Sequence, residues 1–345
     1  MNQVLVTGGS GYFGSVLVRK LREQGIKVVA FDREESPDLP EDVIYINGDI
    51  RDSQTVKIAC SGMECVYHCA ASAPVAGHTD AAWGVNVEGT RNLLQACWEL
   101  KVRKVVNVSS RAAFGGPRKN QVPGISRPAP RDEFGQSKLA AEELCAEYSA
   151  KGLDVTTIRP ATIMGRCRAG IMRMFFEWVR LGRNLPVLGR GDYIYQFVHP
   201  EDLARACIKA GSRKGPAVYN IGAAKSCTMR QTLEGLIAHA GTGGRVVSLP
   251  AAPVATLLDG LNRLGICPDG LCNVLLYGRA LSFDIARAKK ELHWAPRYDN
   301  IAMACESYDG YLKNRGQALE GRSWLSRPGE EENMLKLLGL LLRLA

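Results

Sequence analysis

The sequence predicts an α/β fold, a doubly wound parallel sheet followed by a smaller, partly discontinuous C-terminal portion. Three observations carry this. Short β-branched runs alternate with helix-length segments over the first half of the 345-residue chain, a glycine-rich turn joins the first run to the first helix, and the regularity weakens from about residue 165. Such alternation implies right-handed crossovers with helices on both faces of a parallel sheet. Strands buried on both faces read as continuous apolar runs, as these do.

The expected strands, in order, are Gln3–Val6, Lys27–Phe31, Val43–Asn47, Cys65–Cys69, Lys104–Val108 and Val155–Ile158. The helices between them include Tyr12–Glu23, Val87–Glu99 and Phe134–Ala150. Beyond residue 165 the chain is rich in glycine, arginine and proline over Gly182–Gly191, and later helices come at uneven intervals. Two later segments, Ala204–Ala210 and Val218–Ile221, have the pattern of a helix and strand returning to the main sheet. Gly316–Gly329 reads as a linker, after which Glu330-Glu331-Glu332 opens a leucine-rich helix over Met334–Leu344. Acid at its start and Arg343 near its end suit the helix dipole. Its eleven apolar-rich residues fall short of the roughly 20 that span a bilayer. The choices are docking on its own body, pairing between subunits or lying in a membrane interface; the first two are expected, and a homodimer is the expected assembly.

Composition narrows the class. Apolar residues make up 46% and charged residues 23% of the chain, ordinary for a globular protein, and no stretch is apolar enough for a transmembrane span. A strand at the very start leaves no place for a signal peptide, so a cytoplasmic protein is expected. The eleven cysteines show no Cys-x-x-Cys pair and no Cys/His ligand spacing. They are expected to be reduced and mostly buried, with no metal site. Cys267 and Cys272 bracket a Pro-Asp-Gly turn and are read as two free thiols. The net charge of +9 is spread over many elements without a helix-turn-helix or an aromatic and basic stripe, so no nucleic acid partner is expected.

The segment Val4-Leu5-Val6-Thr7-Gly8-Gly9-Ser10-Gly11-Tyr12-Phe13-Gly14 places Gly8, Gly11 and Gly14 in a Gly-x-x-Gly-x-x-Gly turn between strand and helix. Glycine lets the backbone approach a pyrophosphate, and the following helix points its positive end at that charge. This is the context of a Rossmann-type dinucleotide site. Tyr12 and Phe13, inside the turn, are counted as cofactor contacts. Asp32 ends the second strand, 18 residues beyond Gly14, where a carboxylate accepts from an adenosine ribose and repels a 2′-phosphate. NAD is therefore expected over NADP, although Arg33 beside it could meet that phosphate.

Together with Val108-Ser109-Ser110 and Glu133-Phe134-Gly135-Gln136-Ser137-Lys138, this opening resembles the extended short-chain dehydrogenase/reductases. That family includes nucleotide-sugar epimerases and 3β-hydroxysteroid dehydrogenases, and the resemblance covers about residues 3–315. It implies that residues 1–165, completed by segments around 195–222, bind NAD, and that residues 166–315 mainly bind substrate. Gly48-Asp49-Ile50-Arg51-Asp52 resembles the segment that holds adenine, with Asp49 as acceptor and Ile50 beside it. His68-Cys69-Ala70-Ala71 resembles the strand end on which the cofactor lies, giving Ala70 and Ala71 as contacts. Asn86-Val87-Glu88-Gly89-Thr90 resembles the family's Asn-Val-x-Gly-Thr, and Asn86 reads either as a cofactor-site residue or as a helix cap or buried structural amide.

In the catalytic half, Ser110 falls where the family keeps the serine that binds the reacting oxygen. Lys138 falls where it keeps the lysine that binds the nicotinamide ribose and lowers the pKa of a tyrosine. Phe134 stands at the position of that tyrosine. Three readings stay open: an engineered Tyr→Phe variant, a base relocated to Tyr12, His78, Asp132, Glu133 or His199, or a cofactor-binding protein without turnover. Arg111-Ala112 stands where sugar-nucleotide dehydratases place acid, which disfavours dehydration, and Arg111 reads as a surface residue or an anion contact.

Ile158-Arg159-Pro160-Ala161-Thr162-Ile163-Met164-Gly165 resembles the family's substrate mouth, and Phe197-Val198-His199-Pro200-Glu201-Asp202-Leu203-Ala204 its later signature. Epimerases often carry Arg-Asp before that phenylalanine, the arginine meeting a diphosphate, whereas this chain has Tyr195-Gln196. The expected function is an NAD-dependent epimerase or reductase acting on a nucleotide-sugar-like small molecule. Leu249-Pro250, Val254–Leu264 and Phe283–Leu292 support the alternative of a 3β-hydroxysteroid dehydrogenase-like enzyme, and Phe134 that of a non-catalytic NAD-binding protein.

Overall fold

The computed structural model describes residues 2–72, 82–115, 128–130, 132–166, 172–225, 227–250 and 282–314. His78, Cys267, Cys272, Val254–Leu264 and the tail from 316 onward lie outside the described residues.

Seven strands form one parallel sheet in the order β10-β6-β5-β4-β1-β2-β3. They are β1 (Gln3–Thr7), β2 (Lys27–Asp32), β3 (Ile44–Asn47), β4 (Cys65–His68), β5 (Lys104–Val108), β6 (Val155–Pro160) and β10 (Ala217–Ile221). The central strands are buried almost along their whole length because they pack on both faces, which explains why they are rich in Val, Ile, Leu and Thr and do not alternate apolar with charged residues. Register is continuous: Val4 pairs with Val28 on one side and Cys65 on the other, and Ala217–Ile221 pairs with Thr156–Pro160. The expected return of Val218–Ile221 to the main sheet is therefore observed, as the outer neighbour of β6.

Helix α1 (Tyr12–Arg22) starts at extended Gly11, buries Phe13, Leu17, Val18 and Leu21, and ends with Arg19, Lys20 and Arg22, whose charges oppose the dipole. Helix α2 (Ser53–Cys60) is capped by the Asp52 carboxylate, which accepts from the Gln54 and Thr55 N–H groups. Next come α3 (Gly89–Glu99) and α4 (Glu133–Ala150), the latter capped by Asp132 accepting from the Gly135 N–H at 2.6 Å. A π-helical turn, Gly84–Glu88, precedes α3, where a plain helix was expected to begin at Val87. One sheet face packs a cluster containing Val6, Leu17, Tyr67, Val106, Ile158 and Leu203. The other packs Leu5, Phe31, Val66, Leu93, Val105 and Leu144.

The later chain adds α5 (Arg173–Arg180), α6 (Pro200–Ser212), α7 (Met229–Ala240), α8 (Ala286–Glu291) and α9 (Asn300–Lys313). It also adds two small parallel sheets, β8 (Leu185–Leu188) with β11 (Val246–Leu249), and β7 (Thr162–Ile163) with β9 (Phe197–Val198). A third core joins α5, α7 and α9 through Phe176, Trp178, Leu236, Met303 and Tyr308. Within it the Phe176 and Tyr308 rings meet edge to face at 5.8 Å. Helix α6, which contains the Ala204–Ala210 segment, returns to pack with α1 in the first sheet-face cluster.

The described cysteines are free thiols, and Cys60, Cys65, Cys97, Cys145 and Cys207 are buried. Burial pushes Cys65, Cys69 and Cys145 up to about 12, so they stay protonated and pack as small apolar groups. Among the described residues no helix is long and apolar enough to cross a membrane. The same residues hold no metal-ligating cluster.

Candidate functional site

The C-terminal ends of β1, β4 and β5 converge at the top of the sheet. Strand order reverses there, on either side of β1 and β4, and such a switch point leaves a crevice. The glycine turn fills it. Gly8 has φ +68°, and a Cβ there would come within 2.6 Å of the Ala70 N. A Cβ at Gly14 would overlap the Gly8 carbonyl oxygen, so α1 can begin directly behind the turn only because that side chain is missing. The cradle therefore has the close backbone and helix N-terminus that a pyrophosphate needs.

Asp32 sits over this turn. Its Oδ2 accepts from the Ser10 N–H at 3.1 Å and its Oδ1 from the Arg33 N–H at 2.8 Å. The Tyr45 hydroxyl and the Asn47 amide hold the backbone behind it, donating to the Asp32 and Arg33 carbonyls. The Arg33 side chain is exposed. Asp49 is gripped in a two-point pair by Arg51 at 2.9 and 2.6 Å, which holds its carboxyl down at about 2, with Arg33 adding to the effect. Ile50 is buried where Gly89 allows α3 to approach, since a Cβ at Gly89 would meet its side chain at 2.5 Å.

At the β4 end, the Ala70 N–H points to Thr7 Oγ1 at 3.5 Å, and Ala71 follows on the same wall. His68, which sequence reasoning did not single out, is sealed between Thr7 Oγ1 at 2.7 Å and Thr90 Oγ1 at 2.9 Å. Burial, with Lys138 nearby, drives its pKa down to about 3, so the ring is neutral. Asn86 does not cap a helix. Its amide accepts from the Ser72 N–H and donates to the Ser72 carbonyl and to Ser137 Oγ, each at 2.9 to 3.0 Å, tying β4's exit to α4. Of the two structural roles open to it, the buried amide is the one realised.

Ser110 ends the β5 exit and caps a single 3₁₀ turn, Arg111–Phe114, by accepting from the Ala112 N–H at 3.2 Å. Helix α4 abuts that turn: a Cβ on Gly135 would press on the Ala112 carbonyl. Phe134 is half-buried beside this contact, and its carbonyl accepts from Ser137 Oγ at 2.8 Å. One turn further, Lys138 is buried, and its Nζ donates to the Val108 carbonyl at 3.1 Å. Burial lowers its pKa to about 8, a shift opposed by Cys69, Glu142 and Cys145.

The relocated-base candidates fare differently. Asp132 is spent as the α4 cap, and Glu133 is exposed. His199 caps α6, pairs through Nε2 with Glu306 at 3.0 Å and stacks on Tyr298. Tyr12 lies against Gly165, where a Cβ would stand 3.0 Å from its hydroxyl oxygen. His78 lies outside the described residues.

The surface reading of Arg111 is corrected. Its side chain is buried because the 3₁₀ turn aims it inward, and its guanidinium lies 4.5 Å over the Tyr195 ring. Gln196 is also internal: its amide donates to the Ala223 carbonyl and accepts from the Phe283 N–H, both at 2.8 Å. A network that sequence reasoning missed lies just behind Ser110. Glu142 receives Arg159 through Nε at 3.0 Å and Nη2 at 2.5 Å, and accepts from Ser109 Oγ at 2.5 Å. The Arg159 guanidinium in turn lies 4.9 Å over Phe114. The helical spacing of Lys138 and Glu142 was readable, but their strand partners were not.

Comparison with known proteins agrees with this geometry. The model of the NAD dependent epimerase/dehydratase family matches residues 4–222. The chain is 42% identical over 341 residues to the "Uncharacterized protein y4nG" of Sinorhizobium fredii, covering 99% of this chain and 86% of that one. It is 28% identical over 340 residues to a 3 beta-hydroxysteroid dehydrogenase/Delta 5-->4-isomerase of Mycobacterium tuberculosis, covering 90% and 91%. Among solved structures, MoeE5 in complex with UDP-glucose and NAD superposes with a TM-score of 0.72 at 26% identity, covering 91% of this chain and 100% of that one.

Proposed function

The chain belongs to the NAD-dependent epimerase/dehydratase family, and from that premise we propose that it is an NAD-dependent oxidoreductase acting on a secondary alcohol or its ketone. The observation that carries the reading is the wall where the Ser110 turn abuts α4 while Lys138 lies buried one turn beyond Phe134. It stands beside a glycine cradle whose missing Cβ atoms fit the family's cofactor. NAD, when bound, supplies the hydride acceptor. In this reading Gly8, Gly11 and Gly14 cradle the pyrophosphate and Asp32 accepts from the adenosine ribose. Ser110 Oγ–H holds the reacting oxygen, Lys138 Nζ orients the cofactor's other ribose, and the Phe134 ring keeps water from the reacting pair.

For the substrate we propose an apolar, sterol-like alcohol, a choice that two side chains support. At the position the resemblance assigns to a diphosphate-binding arginine stands Tyr195, a buried ring with a hydroxyl 3.0 Å from Thr162 Oγ1. Gln196 beside it spends both ends of its amide on backbone. Support from sequence comes from the steroid dehydrogenase relative, matched over 90% of the chain. The second reading, a nucleotide sugar, is favoured by the likeness to MoeE5, which binds UDP-glucose.

The test is NADH absorbance with a panel of 3β-hydroxysteroids, together with epimer analysis of UDP-glucose, for the parent protein and F134Y. Reduction of NAD by a hydroxysteroid is expected. Conversion of UDP-glucose alone would move the assignment to the sugar. Tight NAD binding with no turnover by either protein would leave a cofactor-binding protein without chemistry.

A further inference from the structure

Resting on the oxidoreductase reading, we propose that the buried Glu142–Arg159 pair, together with Ser109, is a positioning device for the reaction. It sets where Ser110 Oγ lies relative to α4, the helix that carries Phe134 and Lys138. Residues 109–114 hold Ser110 near their start, and the two halves of one ion pair grip the two ends of this segment. At the first end, Ser109 Oγ donates to Glu142 Oε1 at 2.5 Å. At the other, the Arg159 guanidinium lies 4.9 Å over the ring of Phe114, which also meets Phe283 edge to face at 5.6 Å. Arg159 closes the clamp by donating from Nε to both Glu142 oxygens at 3.0 Å and from Nη2 to Oε2 at 2.5 Å.

Local structure brings these groups together. Gly135, Lys138 and Glu142 follow one another at i, i+3 and i+7, so they share a face of α4. They meet the same strand exit in turn: Gly135 abuts the Ala112 carbonyl, Lys138 donates to the Val108 carbonyl, and Glu142 accepts from Ser109. Ser110 therefore lies between residues that α4 holds on either side. On the sheet, the Ser109 N–H donates to the Ile158 carbonyl at 2.8 Å, which brings Arg159, the next residue, beside it. Ser110 itself is extended, and its Oγ accepts from the Ala112 N–H at 3.2 Å, so its side chain follows the turn.

The chemistry of the pair suits this task. Ser109, Glu142 and Arg159 are all buried, and desolvation offsets much of the attraction in such a pair, so apolar residues of like volume would hold α4 on the sheet as well. Apolar burial has no direction, whereas the two-point contact of a guanidinium with a carboxylate fixes distance and angle together. Direction matters at a reacting group, where a displacement of about 1 Å can cost about 10²-fold in rate.

The test uses S109A, which frees one end of the segment, and R159K, which keeps the charge but gives up the planar two-point contact and the stacking on Phe114. Both leave Ser110, Lys138 and the glycine cradle in place. They are made in whichever of parent and F134Y turns over a 3β-hydroxysteroid or UDP-glucose. Each should lower kcat by about 10–10²-fold, while KM and NAD affinity stay within about threefold, which also shows that the variants fold. The double variant should be little worse than the poorer single one, since both act through one segment. L153A, a truncation of a buried leucine just before β6, is the control: it should lose stability in urea and keep kcat. Independently of turnover, the Ala112 amide, whose N–H is held by Ser110 Oγ, should exchange at least about tenfold faster in S109A while the α4 amides keep their protection. Unchanged kcat in S109A and R159K, a kcat loss matched by L153A, or an unchanged Ala112 exchange rate would overturn the positioning role and leave the oxidoreductase reading standing. Absence of turnover in both parent and F134Y with either substrate would overturn both, whatever the exchange rate.

Discussion

At the scale of single residues, Lys138 and Asp32 carry the sharpest consequences. Lys138 has an ordinary pKa of 10.5 that burial lowers to about 8 in the folded chain. Between those values the unfolded chain binds more protons than the folded one, so stability rises with pH through that window, and the burial penalty is fully present below it. Urea denaturation of cofactor-free parent and K138M should show the parent gaining on the variant from about pH 8 to about pH 10. A constant gap would mean that the amine is not held as the structure indicates. Asp32 is oriented by two backbone N–H groups from the glycine turn and from Arg33. A fixed carboxylate faces any 2′-phosphate, so NAD should bind at least about tenfold more tightly than NADP, and D32A should erase most of that preference in calorimetry. Equal affinities in the parent would mean that Arg33 governs the pocket.

At the scale of elements, the Glu142 and Arg159 pair joins α4 to β6 and braces the exit of β5 through Ser109 and Phe114. Removing one partner leaves the other buried and uncompensated, so E142Q or R159M should each cost about 3–5 kcal/mol in urea denaturation, while E142L/R159M together should cost less than their sum. Additive losses would show that the two side chains act separately. This brace also marks the limit of sequence reading. The six expected strands fall within one or two residues of the observed ones, because buried β-branched runs bounded by turn residues leave little freedom. The pairing of Glu142 with Arg159 depends on which strand lies under α4, which composition along one helix does not encode. The π-helical turn at Gly84–Glu88 was invisible for another reason, since shifting a few backbone hydrogen bonds from i→i+4 to i→i+5 over a single turn has no signature in residue type. Arg111 was misplaced because a charged residue after a strand ordinarily faces water, whereas a 3₁₀ turn capped by Ser110 aims it at Tyr195.

At the scale of the whole molecule, the chain divides its labour between the sheet and the packing beyond it. The cofactor cradle rests on the two clusters that cover the sheet faces, through Phe13 and Leu17 on one side and Phe31 and Ile50 on the other. The third cluster, around Phe176, Trp178, Leu236 and Tyr308, supports β8, β9 and the Tyr195 strand approach, which border the proposed substrate wall. Trp178 is one of the largest fully buried side chains, so W178A should cost about 3–5 kcal/mol in chemical denaturation. Because Trp178 packs in a cluster that shares no residue with the glycine turn, NAD affinity at low temperature should change by less than about threefold, while turnover falls through a raised KM for substrate. Loss of NAD affinity in step with stability would show instead that the two halves fold and bind as one cooperative unit, and that substrate and cofactor sites cannot be separated by mutation.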